Sequence, residues 1–173
     1  MGRAKPFIWG AMLMGVWLVA SSDVAPNPYA GWTPYFMERS ELEKSVFRTQ
    51  SKEMLSPGKI WTDDENGLIF VVERYKGVHI IDNSDPSNPS PAGFIVAPGC
   101  MDVAVKGDVI YLDNAVDLVA FDMAANNGLG QETERLENWF TEPVSPVGER
   151  YNNRSSNMIL VGWKQAKKAE GRE

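Results

Sequence analysis

The stretch Gly77–Pro89, which reads GVHIIDNSDPSNP, decides the fold because its character changes halfway. Its first five residues are apolar apart from one histidine, and the next eight are drawn only from Asp, Asn, Ser and Pro. Asp and Asn side chains bond backbone amides two residues further on, and proline cannot continue a strand ladder. The pattern predicts a strand that ends at Asp82 in a turn. A calcium loop would need more acidic oxygens than Asp82 and Asp85 supply, and a glycine within the loop.

A set of three blocks occurs twice in the middle of the chain. The second copy of each block lies 40 or 41 residues after the first: PGKI at 57–60 and PGCM at 98–101, LIFV at 68–71 and VIYL at 109–112, VHIID at 78–82 and LVAFD at 118–122. Asp82 and Asp122 therefore hold equivalent positions at strand ends, and Gly58 and Gly99 are equivalent glycines. A repeat of about 40 residues made of short strands is the size of one propeller blade.

The repeat predicts an all-β fold in which residues 57–123 form two antiparallel blades of a partial β-propeller. Two blades cannot close a ring of at least four. We therefore expect either that the chain is the N-terminal part of a longer propeller or that other chains complete it. The uncovered sheet face and unpaired strand edges also predict self-association.

The repeated blocks resemble a known family. VHIIDNSDPSNP and its partner LVAFD are similar to the LVIVD repeat of bacterial envelope-associated β-propellers, and Gly99, Asp102–Val105 and Tyr111 stand where that repeat places them. The resemblance covers residues 57–123 and implies a propeller fold. It implies no activity, because none is established for the family. Exported members often carry a lipobox cysteine, and its replacement here by Ser21 argues against lipid anchoring.

Residues 1–22 have the features of a cleavable secretory signal segment. Arg3 and Lys5 precede an apolar run from Phe7 to Ala20, and the small residues up to Ser22 fit a cleavage site before Asp23. The apolar run is too short to span a bilayer comfortably. We expect an exported protein of the periplasm or cell surface, with no stable membrane span after cleavage.

The regions flanking the repeats give weaker signals. Residues 23–56 predict a proline-rich aromatic arm and then a short helix that begins in a capping box at Ser40–Glu43. Residues 124–163 predict an irregular extension with a final strand, and residues 164–173 a charged, solvated tail. The aromatic residues of the arm either pack against the first repeat or form a binding surface: Tyr29, Trp32, Tyr35 and Phe36.

Composition and motifs argue against several functional classes. The formal net charge of −6 argues against binding to nucleic acid, which needs a basic face. Cys100 and His79 are the single residues of their kinds, and each is expected to be structural, as is the acidic turn Asp63–Glu65. No hydrolase, metalloprotease or phosphate-loop motif appears in the sequence. We therefore expect no catalytic residue, metal or cofactor.

These features favour an exported, non-catalytic binding or scaffold module of the bacterial envelope, with a protein or a glycan as its partner. Its turn residues Asp82, Asp85, Pro86 and Asp122 are expected to be structural. Two alternatives stay open: a propeller-type hydrolase or lyase fragment, and an inert truncated product.

Overall fold

The computed structural model describes residues 31–153 and 155–165, which are mostly β-structure. Their strand pairs are all antiparallel and form three sheets. One short α-helix, α1, occupies Arg39–Leu42, and a 3-10 helix occupies Asn126–Gly128. The strands are β1 Trp32–Glu38, β2 Phe47–Thr49, β3 Pro57–Asp63, β4 Leu68–Glu73, β5 Gly77–Asp82, β6 Ser90–Val96, β7 Val103–Lys106, β8 Val109–Asn114, β9 Asp117–Asp122, β10 Gln131–Leu136 and β11 Met158–Gln165.

Two sheets hold the repeated blocks. The first sheet has the order β2-β6-β5-β4-β3, and the second has the order β10-β9-β8-β7. Phe70 pairs with Ile80 in the β4–β5 hairpin, and Tyr111 pairs with Ala120 in the β8–β9 hairpin. The all-β prediction is therefore correct. Among the described residues no sheet closes on itself.

The main core lies between these two sheets. They pack face to face, with β3 beside β7 and β2 beside β10. Alternate residues of each strand point inward, because successive side chains of a strand project to opposite faces. Burying each large apolar side chain contributes about 1.5–3 kcal/mol relative to leaving it exposed. The inward side chains include Phe70, Val72, Val78, Ile80 and Ile95 of the first sheet, and Val103, Ile110, Leu112, Val119 and Phe121 of the second.

The third sheet is a two-stranded ribbon in which β1 pairs with β11. It joins the two ends of the described chain, since Trp32 pairs with Gln165. A second core cluster packs the ribbon and α1 against the β8–β9 turn through Leu42, Ala115, Val116, Ile159 and Val161. The ribbon therefore lies across the end of the two sheets where their central hairpins turn.

Three predictions for the flanks are corrected by these elements. The arm is a strand from Trp32, since an edge strand tolerates Pro34 and β11 supplies a partner. The helix has four residues, and Glu38 rather than Ser40 is its N-cap, without a side-chain cap bond. The extension is less irregular than expected, because Gln131–Leu136 pairs with β9.

Other predictions concern residues outside the described part of the chain. These are the signal segment, Tyr29 and most of the charged tail. Within the described part, no helix is long and apolar enough to cross a membrane.

Candidate functional site

A groove of about 1050 Å³ lies between the ribbon, the end of the first sheet and the chain that leads from the first sheet to the second. Both ribbon strands line it, together with the β4–β5 turn, the chain after β6 and the segment 144–146. Trp32, Tyr35 and Phe36, which the sequence proposed as a binding surface, all line this groove. The predicted aromatic residues that the structure describes therefore share one site.

The β4–β5 turn forms one wall of the groove and is held in place from two sides. Tyr75 has a left-handed backbone conformation, with φ of 64°. Its amide donates a hydrogen bond to the Cys100 carbonyl at 2.7 Å, and its carbonyl accepts from the Gly99 amide at 3.0 Å. The Tyr35 hydroxyl donates to the same Tyr75 carbonyl at 3.2 Å. These bonds fix the turn to the chain between the two sheets and to the ribbon.

The ribbon comes close to this turn because Gly162 has no side chain. A Cβ atom at Gly162 would lie 2.6 Å from both Tyr35 Oη and Tyr75 Cγ. The pairing register of β1 with β11 also shifts between Tyr35 and Phe36, which is a β-bulge. Bulges redirect side chains, and these two consecutive aromatic residues both line the groove.

The aromatic side chains of the groove are held by further contacts. Trp163 is 3% exposed, and its indole N–H donates to the Pro143 carbonyl at 3.3 Å. Phe36 packs against Tyr151 with ring centroids 5.2 Å apart. Burial, with a smaller contribution from Tyr75, raises the pKa of Tyr35 to about 12. Tyr35 therefore stays protonated near neutral pH and keeps its hydrogen bond to the turn.

The groove has a positive lining in a chain of negative net charge. Its charged lining residues are Lys52, Arg74, Lys76 and Lys164, and none of its described lining residues is acidic. Lys76 lies 3.2 Å from the Glu73 carboxylate, and Lys52 lies 4.5 Å from the centre of the Phe94 ring. The local charge is therefore opposite to the −6 of the whole chain.

A buried ion cluster at the end of the ribbon was not predicted from the sequence. The Asp117 carboxylate accepts hydrogen bonds from Arg39 at 2.6 Å and from Arg135 at 2.7 Å. Burial alone would raise the pKa of Asp117, but the bonds from Arg39, the Asn138 amide and Arg135 outweigh it and lower the pKa. Arg39 lies 78 residues from Asp117 in the chain, and Arg135 lies 18 residues from it, so no local motif marks the cluster. The cluster ties the ribbon end to the second sheet.

The predicted turn residues lie away from the groove and bond their own backbone. Asp82 accepts from the Ser84 amide at 2.9 Å, Asp85 from the Ser87 amide at 3.0 Å, and Asp122 from the Ala124 amide at 2.8 Å. Pro86 lies in the loop between β5 and β6. Hydrogen bonds from Ser84 and from Ser87 lower the pKa of Asp82 and of Asp85, respectively.

The two repeat glycines differ in their surroundings. Gly99 has φ of 86°, and a Cβ atom there would lie 2.6 Å from the Ala115 backbone. Gly58 has no such backbone conflict, since a Cβ atom there would meet the Arg74 and Val72 side chains at 3.3 Å. Only Gly99 is therefore required by a close backbone approach.

The remaining polar residues that the sequence singled out do not meet at one site. His79 lies 3.3 Å from Glu73 and packs edge-on to Phe94, and neither it nor Glu73 lines the groove. Burial, followed by the nearby Asp113 carboxylate, raises the pKa of Cys100, so its thiol stays protonated. The described residues contain no group of three or more His, Cys, Asp or Glu side chains able to hold a metal.

Comparisons of the chain with protein-family models, with curated proteins and with solved structures found no match. The walls of the groove are apolar and aromatic, and its charged groups are all cationic. Such a site can bury an apolar group and hold a negative charge.

Proposed function

We propose that this protein is a non-catalytic binding module of the bacterial cell envelope and that the groove beside the ribbon is its ligand site. The observation that carries this proposal is the lining: apolar and aromatic walls with a few converging charged groups. Ligand sites in proteins commonly have this composition, and they are usually concave and largely preformed. The bonds that hold Tyr75, Tyr35 and Trp163 supply the preformed walls.

The lining also favours binding over catalysis. Its hydroxyl groups belong to Ser56, Ser145, Tyr35 and Tyr75, and the described lining contains no His, Asp, Glu or Cys that could activate them. Ser145 is buried, and its hydroxyl accepts a hydrogen bond from the Glu149 amide. Nucleophilic catalysis needs a base within hydrogen-bond reach of the nucleophile. The described lining offers only lysines for that role, and the Lys76 ammonium lies against the Glu73 carboxylate rather than a hydroxyl.

The fold assignment within this proposal is a partial propeller of LVIVD-like repeats. The equivalent pairs Phe70–Ile80 and Tyr111–Ala120 support two blades. The partly exposed outer face of the second sheet, where Tyr111 lies, supports completion by further residues or by another chain. The features of residues 1–22 support export, and Ser21 in place of the lipobox cysteine argues against lipid anchoring.

A binding assay with groove variants tests the proposal. The purified chain is immobilised and exposed to envelope extract, beside a variant with Phe36→Ala and Arg74→Glu and a control with Lys106→Glu. Lys106 ends β7 and does not line the groove. We expect wild type and the control to retain the same envelope component and the groove variant to lose it.

The same preparations are assayed with a panel of hydrolase and lyase substrates. Turnover by wild type that the groove variant lacks would replace the binding proposal with an enzymatic one. Retention of the envelope component by all three proteins would place the binding surface elsewhere.

A further inference from the structure

We infer that the ligand of this groove is an amphiphilic anion, a molecule with an apolar body and a carboxylate, phosphate or sulfate group. This inference rests on the proposed function, because it names the class of ligand that the same groove binds. It follows from three properties of the groove: its apolar walls, the placement of its cations and its charge relative to the rest of the chain.

The walls fit an apolar body. The ribbon contributes Trp32, Phe36 and Val161, and the chain between the two sheets contributes Pro98 and Met101. Transfer of apolar surface from water to such walls contributes about 25 cal/mol for each Å² buried. A volume of about 1050 Å³ lies at the upper end of the range of roughly 300–1,000 Å³ for small-molecule sites. The groove can therefore hold a whole ligand of that size.

The cations come from three separate elements and meet at the groove. Arg74 and Lys76 flank Tyr75 in the β4–β5 turn, Lys164 lies on β11, and Lys52 precedes β3. Lys76 is partly neutralised by Glu73. Within residues 31–153 and 155–165, neither Arg74 nor Lys164 forms an ion pair. These two side chains are available to pair with an anionic group, and arginine can do so through two parallel bonds.

The charge of the whole chain limits the size of the anion. A long polyanion would extend beyond the groove and meet a protein whose formal net charge is −6. A compact anion within the groove interacts mainly with its four cations. A cationic ligand would find no acidic partner among the described lining residues. The arrangement therefore selects a small anion with an apolar body.

Calorimetric titration with matched amphiphiles tests this inference. The purified chain is titrated with decanoate, decyl phosphate and decyltrimethylammonium, each below its micelle concentration. We expect decanoate, decyl phosphate or both to bind at one site, at least tenfold tighter than decyltrimethylammonium, and more weakly as salt increases. Tighter binding of decanoate would indicate a carboxylate ligand, and tighter binding of decyl phosphate would indicate a phosphate ligand. Equal affinity for the cationic amphiphile, or no binding of either anion, would overturn the inference.

Paired variants locate the binding. Arg74→Glu with Lys164→Glu should weaken anion binding at least tenfold, whereas Lys106→Glu should leave it unchanged. If circular dichroism shows that the double Glu variant does not fold, Arg74→Gln with Lys164→Gln gives the same comparison with a smaller expected loss. Unchanged affinity in a folded groove variant would also overturn the inference.

The envelope-extract assay separates this inference from the proposed function. Groove-dependent retention of an envelope component, without binding of decanoate or decyl phosphate, would reject the amphiphilic anion and leave the binding module standing. If the groove retains no envelope component and binds neither decanoate nor decyl phosphate, the proposed function and the inference about its ligand are both rejected.

Discussion

The two large sheets have matching central hairpins but are covered in different ways. Phe70 and Tyr111 occupy the same place in their hairpins, one opposite Ile80 and the other opposite Ala120. Phe70 is 0% exposed and Tyr111 is 39% exposed. The difference arises because the face of the first sheet that carries Phe70 packs on the second sheet, whereas the matching face of the second sheet points away from the first.

Part of the outer face of the first sheet is covered by the segment 50–56 instead of by a sheet. The Glu73 carboxylate accepts hydrogen bonds from the Leu55 amide at 3.0 Å and from the Ser56 amide at 2.8 Å. Lys52 lies over the Phe94 ring, and Phe94 packs against His79. Strand pairing in the two sheets therefore follows the local sequence, whereas the burial of each face is set by what packs on it.

Truncating the side chains at the two equivalent positions should show the largest difference in stability between the two sheets. Phe70→Ala should destabilise the protein by about 3–5 kcal/mol, because it leaves a cavity in the core between the sheets. Tyr111→Ala should cost less than about 1 kcal/mol, because much of that side chain is already in water. Urea denaturation of both variants at low protein concentration measures the difference. Similar costs would mean that something covers the outer face of the second sheet.

Removal of the Glu73 carboxylate should release the segment that covers the first sheet. Glu73→Ala should cost about 1–3 kcal/mol, because the Leu55 and Ser56 amides lose their acceptor. The control is Glu134→Ala on the second sheet, where Glu134 is exposed and pairs with Ala120. Limited proteolysis within residues 50–56 should accelerate only in the Glu73 variant. Protection of that segment in both variants would show that other contacts hold it.

Lowering the pH should reduce the stability of both large sheets, because each sheet contains a carboxylate whose pKa is lowered in the folded protein. Burial alone would raise the pKa of Glu73, but hydrogen bonds from Leu55, Lys76, His79 and Ser56 outweigh it and lower the pKa. The pKa of Asp117 is also lowered. A carboxylate with a lowered folded pKa stabilises the protein above its unfolded pKa of about 4, and this stabilisation is lost as the pH falls through the folded value.

Thermal melting between pH 7 and pH 3 tests this expectation. The melting temperature of wild type should fall below about pH 5, and the fall should be smaller in Glu73→Gln. Asp113 acts in the opposite direction, since burial raises its pKa. An identical dependence of the melting temperature on pH in wild type and Glu73→Gln would show that Glu73 does not contribute to the loss of stability in acid.

The outer face of the second sheet should make the protein self-associate, which is the smallest and most concentration-dependent effect. Tyr111 and Leu136 lie on this face and are 39% and 42% exposed. Sedimentation should show association that increases with concentration and that Tyr111→Glu with Leu136→Glu reduces. The matched control is Ile60→Glu, an exposed position on β3 of the first sheet. A monomer at all concentrations would show that the flanks suffice to cover the molecule.

The sequence predicted the parts of the fold that depend on near neighbours. The strand that ends at Asp82 and the β8–β9 hairpin pair with residues close by in the chain, so periodicity and turn chemistry mark them. The ribbon was missed because Trp32 finds its partner at Gln165, and no local pattern records a partner at that distance. The sequence predicts an irregular extension where β10 forms, because the residues of this strand are mainly polar and carry no apolar alternation.

The candidate site was predicted only in part for the same reason. Trp32, Tyr35 and Phe36 are close in sequence, so their aromatic character could be noticed together. The alternative prediction is that these aromatic residues pack against the first repeat. Tyr35 does so, because it contacts Tyr75 of that repeat. The cations were not predicted, because Lys52, Arg74 and Lys164 meet only when the ribbon forms.

The pairing of Trp32 with Gln165 also determines how the protein responds to mechanical tension. The two ends of the described chain leave the ribbon side by side. A force that pulls these ends apart loads the hydrogen-bonded pairs of the ribbon one after another, starting at Trp32. Such unzipping needs less force than sliding two strands past each other, which loads all their bonds at once. The groove should therefore open before tension reaches either large sheet, and a ligand held there would be released first.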